Sequence, residues 1–372
     1  MVMAHMGKPL VTANQVTLTR LALLPIGTYL MYQGEKGLLA ALGLLTLVGC
    51  TDILDGWLAR RYGPTVLGGL MDPIVDKIFM VATLMPFLDL GWMPAWVFGL
   101  MLLREFLVTG LRSAYERRGL KLKTTLLAKI KTWVQMAGAG VICLMQLLPP
   151  RLMTILFLVG GLLPLGLALF GYLWRGRWWR GAFVFSGWFL AVFVAYILGG
   201  QRVGGVLLPA KFGTYFLLGG MVGVTWLSGW GYFAQSRRLW AVRALDASDL
   251  VRVGTAALPA LLFLATPPSV PVSLMLNAAL GLEMAAGGLD NLLCHHQAQS
   301  PALGWGLRIG LGTMLTFASM VLARPGGPLL ALGFTAEWLM AGALLVTTIG
   351  TIAEFIRGRS YYLEDRFVDS PA

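Results

Sequence analysis

Charge is scarce in this chain of 372 residues: Asp, Glu, Lys and Arg make up 12%, against 57% for hydrophobic residues, with a mean hydropathy of +0.74. That balance excludes an ordinary soluble domain, in which about a quarter of residues are charged, and predicts an all-α, polytopic integral membrane protein. Cysteine is rare too. Cys50, Cys143 and Cys294 lie in or beside apolar stretches with no paired spacing, which excludes a disulfide framework and a thiolate metal site. No internal repeat is evident, and the stretch through Lys8 lacks the charged, apolar, small-residue order of a removable signal. The basic excess of 29 Lys and Arg over 17 Asp and Glu is spread over separate loops, so nucleic acid is not an expected partner.

What is present is a succession of apolar segments. Requiring about 20 apolar residues per span, the sequence predicts spans near 17–33, 37–58, 72–90, 94–116 and 127–147, then 152–173, 182–199 and 213–234, then 250–266, 270–290, 303–323 and 329–356. That is about twelve. Basic residues cluster after alternate spans: Arg60 and Arg61; Arg112, Arg117, Arg118, Lys121 and Lys123; Arg175, Arg177 and Arg180; Arg237, Arg238 and Arg243; Arg357 and Arg359. The positive-inside rule puts these loops and both chain ends in the cytoplasm, with the net charge of +12 drawn to anionic membrane lipids.

Against this background, Asp52, Asp55, Asp72 and Asp76 stand out at the facing ends of the second and third spans. Carboxylates at a membrane boundary are costly to keep. Asp52 and Asp55 are spaced i, i+3 and Asp72 and Asp76 i, i+4, so each pair shares a helix face. Two such helices side by side would converge four carboxylates, tolerable only around divalent cations. All-oxygen ligands favour Mg²⁺ or Mn²⁺ over zinc. Gly56 and Gly68 let backbone approach a bulky ligand such as a nucleotide, and Arg60 can face a phosphate.

Asp52, Asp55, Gly56, Ala59 and Arg60, then Gly68, Asp72 and Asp76, form the pattern D-x-x-D-G-x-x-A-R, seven residues, G-x-x-x-D-x-x-x-D, which resembles the signature of the CDP-alcohol phosphotransferase family. Further stretches resemble the branch of that family that uses glycerol 3-phosphate: Asn14, Thr17 and Arg20; Arg104, Glu105, Thr109, Gly110, Leu111 and Arg112; Lys129, Lys131, Thr132 and Gln135. The likeness covers residues 10–147 and resumes at Thr225 to Arg238, with Ser228, Gly229, Tyr232 and Phe233.

The resemblance implies a six-helix core, a possible homodimer, and transfer of the phosphatidyl group of CDP-diacylglycerol to glycerol 3-phosphate with release of CMP. It implies that Asp52, Asp55, Asp72 and Asp76 hold one or two divalent ions, and that Asp76 also serves as base toward the acceptor hydroxyl. The CDP site would comprise Asp52, Asp55, Gly56, Ala59, Arg60 and Gly68. An anionic acceptor needs cations, and Arg112, Arg118, Lys129 and Lys131 are available on the same side, although positive-inside topology alone also accounts for them. Acceptors such as phosphatidylglycerol, an inositol phosphate or serine define the alternatives within the family. A non-catalytic scaffold or transporter is the alternative outside it, and it predicts damage to the aspartate set, which is intact.

The chain departs from the six-helix pattern in two places. Two extra spans fall near 150–200 inside a first domain of residues 1–240, and residues 241–372 read as a separate four-span domain after a cytoplasmic linker. In that second part Glu283, Asp290 and Glu337 interrupt apolar helices. Cys294, His295 and His296 are adjacent in sequence, a spacing that does not converge on one ion, and read as an interfacial polar loop.

Overall fold

The computed structural model describes residues 11–63, 65–120, 126–176, 180–198, 201–203, 206–208, 210–240, 246–255, 257–261, 270–296, 306, 309–314, 317–318 and 336–362. The chain is helical, as the scarcity of charge predicted: α1 Ala13–Leu30, α2 Gly34–Tyr62, α3 Val66–Asp89, α4 Ala95–Glu116, α5 Leu126–Leu147, α6 Pro150–Arg175, α7 Arg180–Leu198 and α8 Ala210–Trp240. After these come the short α9 Ala247–Thr255 and α10 Leu258–Leu261, then α11 Val270–His295 and α12 Ala336–Tyr362. A two-stranded antiparallel ribbon, β1 Gln201–Val203 with β2 Val206–Leu208, lies between α7 and α8.

Among the described residues, five helices are long and apolar enough to cross a bilayer: Gly34–Tyr62, Ile130–Leu147, Pro150–Trp174, Val270–His295 and Glu337–Tyr362. The expected count of twelve is not reproduced. The span expected at 250–266 is not one helix over its described part, because α9 stops at Thr255 and α10 holds only four residues. The span expected at 303–323 lies largely outside the described residues.

Two compact units divide the chain elsewhere than at the boundary expected near residue 240: residues 1–132 with 224–372, and residues 133–223. The smaller unit contains the whole of the expected insertion. It is built on close apolar packing: Trp188 lies across Gly220, and Phe157 gathers Phe189, Phe193 and Tyr196 at ring separations of 5.4–6.5 Å. Leu162, Leu163, Phe170 and Leu173 are exposed, as apolar side chains facing lipid must be.

The larger unit carries the site. In α1 the buried positions Thr17, Arg20, Leu24, Gly27 and Thr28 fall three or four residues apart on one face. Thr12 opens that helix with a capping box to Gln15. The face packs along both α2 and α3, and at Gly27 the approach is so close that a Cβ would meet Leu45 Cδ2 at 2.7 Å. Helix α2 ends where Gly63 takes φ 99°. Two residues later Thr65 caps α3, its hydroxyl accepting the Gly68 N–H at 2.9 Å. Helix α4 is buried along most of its length, from Val97 to Tyr115. Helix α11 lies against α3 and α4, where Leu70 and Ile74 form an apolar cluster with Leu289 and Leu293.

Candidate active site

The four aspartates come together, by a route the sequence did not suggest. They were expected to meet through direct packing of α2 on α3; instead α1 is the element that joins those helices, and its side chains bridge the carboxylates. Arg20 donates from Nη1 to Asp52 Oδ1 at 3.1 Å and to Asp55 Oδ2 at 3.0 Å, and from Nη2 to Asp76 Oδ1 at 3.1 Å. One turn earlier, the Thr17 hydroxyl stands 3.4 Å from Asp55 Oδ2 and 3.2 Å from Asp72 Oδ1. The guanidinium is 1% exposed, whereas the Asp52 and Asp76 side chains are 49% and 39% exposed. The cluster is therefore sealed on the α1 side and open on the other.

The chemistry of the donors fits a hard divalent cation. They are all oxygens, and four carboxylates against one guanidinium leave negative charge uncompensated beside a low-dielectric interior. In the arrangement seen, Arg20 stands between the carboxylates, and among the described residues no three acidic, histidine or cysteine groups close around one point.

The proposed nucleotide-site residues line the same helix ends. Arg60 folds back over Gly56, where a Cβ would lie 3.5 Å from its Nη1. Gly68 sits against Asn14 and Thr65, with a Cβ position 2.9 Å from Asn14 Oδ1. Asn14 and Thr65 share a 3.0 Å hydrogen bond, so the glycine permits α1 and α3 to close at this end. Ala59 is half-buried on α2.

A second constellation is cationic. Glu105 on α4 pairs with Arg104 Nη1 at 3.0 Å and with Lys131 Nζ. Arg104 also reaches the Ser228 hydroxyl at 2.9 Å, in space left open by Gly229. Lys77, the residue after Asp76, donates to the Thr109 hydroxyl at 2.5 Å. Arg104 and Arg112 both lie about 6 Å from the ring centroid of Tyr232. Lys77 stands within electrostatic reach of Glu105, Arg112, Lys131 and Arg104, and Lys131 within reach of Asp76. Arg104, Lys131 and Lys77 thus gather about Glu105, with Arg112 within reach of Lys77, beside the aspartate cluster.

Two of the four cations expected for the acceptor, Arg112 and Lys131, belong to this group. Arg118 does not: it pairs with Asp249, as does its neighbour Arg117, which also holds Asp246. The Lys129 side chain lies outside the described residues. Lys77 is not among the residues to which the sequence points, and Arg20 enters there only through the resemblance. A signal for Arg20 existed, since a guanidinium three residues from Thr17 and four before Leu24 falls on the apolar face of α1, and a charge there needs a counter-ion.

A model of the family described as CDP-alcohol phosphatidyltransferase matches residues 10–170. The chain is 32% identical over 148 residues to the CDP-diacylglycerol–glycerol-3-phosphate 3-phosphatidyltransferase of Bacillus subtilis, covering 36% of this chain and 77% of that one. The chain belongs to the CDP-alcohol phosphatidyltransferase family. The protein of the same name from Rickettsia bellii is 34% identical over 137 residues, 35% of this chain and 74% of its own. A probable phosphatidylglycerophosphate synthase of Mycobacterium tuberculosis is 36% identical over 137 residues, 36% of this chain and 65% of its own. No solved structure matches. CDP-alcohol phosphatidyltransferases are in general divalent-metal dependent, in agreement with the donor set, and the apolar helices make this member a multi-pass membrane enzyme.

Proposed function

We propose that the protein transfers the phosphatidyl group of CDP-diacylglycerol to glycerol 3-phosphate, forming phosphatidylglycerophosphate and CMP, at a site on the cytoplasmic side of a bacterial-type inner membrane. The observation that carries this reading is the excess of cations at Lys77, Arg104, Arg112 and Lys131 over the single carboxylate of Glu105, beside Asp76. Such an excess inside a membrane helix bundle calls for an anionic ligand. It favours an acceptor bearing a phosphate over serine, and the names of the relatives agree. The positive-inside rule applied to the basic loops supports a site that faces the cytoplasm.

Asp52, Asp55, Asp72 and Asp76 are the residues that would hold Mg²⁺ or Mn²⁺, which when bound neutralises charge on the pyrophosphate and the departing CMP. Gly56, Ala59, Arg60 and Gly68 form the wall for CDP. Asp76, with its open side, takes the proton of the acceptor hydroxyl. The acceptor oxygen then bonds to the phosphatidyl phosphorus, and the pyrophosphate P–O bond breaks with its electron pair leaving on CMP. The Lys77 group positions the acceptor phosphate, which fixes the hydroxyl relative to Asp76.

Purified protein supplied with CDP-diacylglycerol, Mg²⁺ or Mn²⁺, and glycerol 3-phosphate, phosphatidylglycerol, an inositol phosphate or serine in turn tests this. CMP release with glycerol 3-phosphate is the expected result. Release only with another acceptor would overturn the choice of acceptor, and release with none would overturn the enzyme.

A further inference from the structure

We propose that Arg20 is a resident counter-ion, a positioning residue that holds the aspartates together while no divalent cation is bound and yields their oxygens when one binds. The inference rests on the metal-dependent reading above. It starts from which atoms Arg20 uses: Asp52 Oδ1, Asp55 Oδ2 and Asp76 Oδ1 are carboxylate oxygens of the kind a hard cation requires. Guanidinium and ion therefore compete for the same lone pairs. Asp72 is held by the neutral Thr17 hydroxyl and not by the guanidinium, so its carboxylate offers negative charge to an incoming ion first.

The charge balance gives the competition its direction. With Arg20 as the neighbouring cation, four carboxylates retain three negative charges, enough to draw in a divalent ion against the guanidinium. Without Arg20, four carboxylates would face one another unrelieved, and like charges so placed destabilise the fold. Among the described residues, Arg20 Nε is buried with no hydrogen-bond partner. Among the described residues the guanidinium is thus anchored through the carboxylates that an ion would take.

A side chain that merely supports the fold and one that competes with the ion give opposite metal responses when removed. In Arg20→Gln the metal-free protein should lose about 5 °C or more of melting temperature, while Mn²⁺, followed by the electron paramagnetic resonance of the free ion, should bind about tenfold more tightly. Addition of Mn²⁺ should restore the lost melting temperature. Arg20→Lys keeps a positive charge without the planar fork, and should fall between the two proteins on both readouts. Recovery of Arg20→Gln only from Mn²⁺-containing buffer also supports the proposal. Mn²⁺ binding that is unchanged or weaker in both variants, an unaltered metal-free melting temperature, or failure to recover either variant even with Mn²⁺ would overturn it. Wild-type protein that binds Mn²⁺ yet releases no CMP would remove the transferase reading and leave the counter-ion role standing. Wild-type protein that binds no Mn²⁺ removes the counter-ion role itself.

Discussion

Asp76 and Lys77 are neighbours in sequence to which the proposed function gives opposite tasks, and each can be altered without disturbing the other's partners. Asparagine at position 76 still presents an oxygen to Arg20 Nη2, so the bridge at 3.1 Å survives in kind while the charge that accepts a proton is gone. Asp76→Asn should keep a melting temperature close to wild type and lose about 100-fold or more in the rate of CMP release. Near wild-type turnover would refute the base assignment. Lys77→Met removes a donor to Thr109 and one cation of the group proposed to hold the acceptor phosphate. Loss of a charged hydrogen bond of about 1.5–3 kcal/mol should raise KM for glycerol 3-phosphate about 10- to 100-fold and leave KM for CDP-diacylglycerol unchanged. An equal rise in both would place Lys77 elsewhere. The aspartates were legible because helical spacing alone pairs them. Lys77 was not, because a lysine near the end of a span looks the same whether it faces headgroups or a substrate.

Among the elements, α9 shows where apolar composition misleads. The stretch was expected to open a span at residue 250, but Asp249 and Arg252 are fully buried and have to be paired by other helices. Asp249 receives Arg117 and Arg118 from the end of α4, and Arg252 donates to both Asp290 oxygens on α11 at 3.1 and 3.4 Å. An ionic strap therefore ties α9 to α4 and α11, and the sequence hides it because the partners lie 38 to 132 residues away. The strap has a pH signature. Asp246 accepts a hydrogen bond from Arg117, which holds its carboxyl down at about 2, against about 3.9 for an unfolded aspartate. A lowered folded pKa contributes stability that is fully present above about pH 4 and is lost as pH falls toward about 2. Hydrogen-exchange protection of α9 should therefore be flat above about pH 5 and fall below about pH 4. Asp246 is half-exposed, so the change should be small and should shrink with added salt. Asp246→Asn should remove this component, and an identical acid profile in that variant would exclude the pair as its source.

For the molecule as a whole, the first five expected spans fall on helices α1 to α5, although only α2 and the part of α5 from Ile130 are long and apolar enough to cross a bilayer. The assignment of the last third was not legible, because an apolar helix surface reads the same whether it meets lipid or another helix. Helix α11 meets protein. Its Gly288 lies so close to α3 that a Cβ would stand 2.4 Å from Ile74 Cγ1, and Ile74 is flanked by Asp72 and Asp76 in sequence. Asn291 accepts from the Ser113 hydroxyl at 2.6 Å, His295 Nδ1 contacts Glu116 at 2.7 Å, and Ser273 and Tyr32 both donate to Asp89 at 2.5 Å. The wall of α3 and α4 that carries Asp76, Lys77 and Arg104 is thus completed by the C-terminal third of the chain. A protein ending at Trp240 would expose the apolar cluster of Leu70 and Ile74 and deprive Arg117 and Arg118 of Asp246 and Asp249. Residues 1–240 alone should then give no CMP release and little monodisperse protein in detergent, while co-expression with residues 246–372 should restore part of both. If residues 1–240 purified as a well-behaved enzyme of wild-type rate, α11 would be a passenger on the catalytic helices instead of their support, and the packing of Gly288 on Ile74 would have no functional consequence.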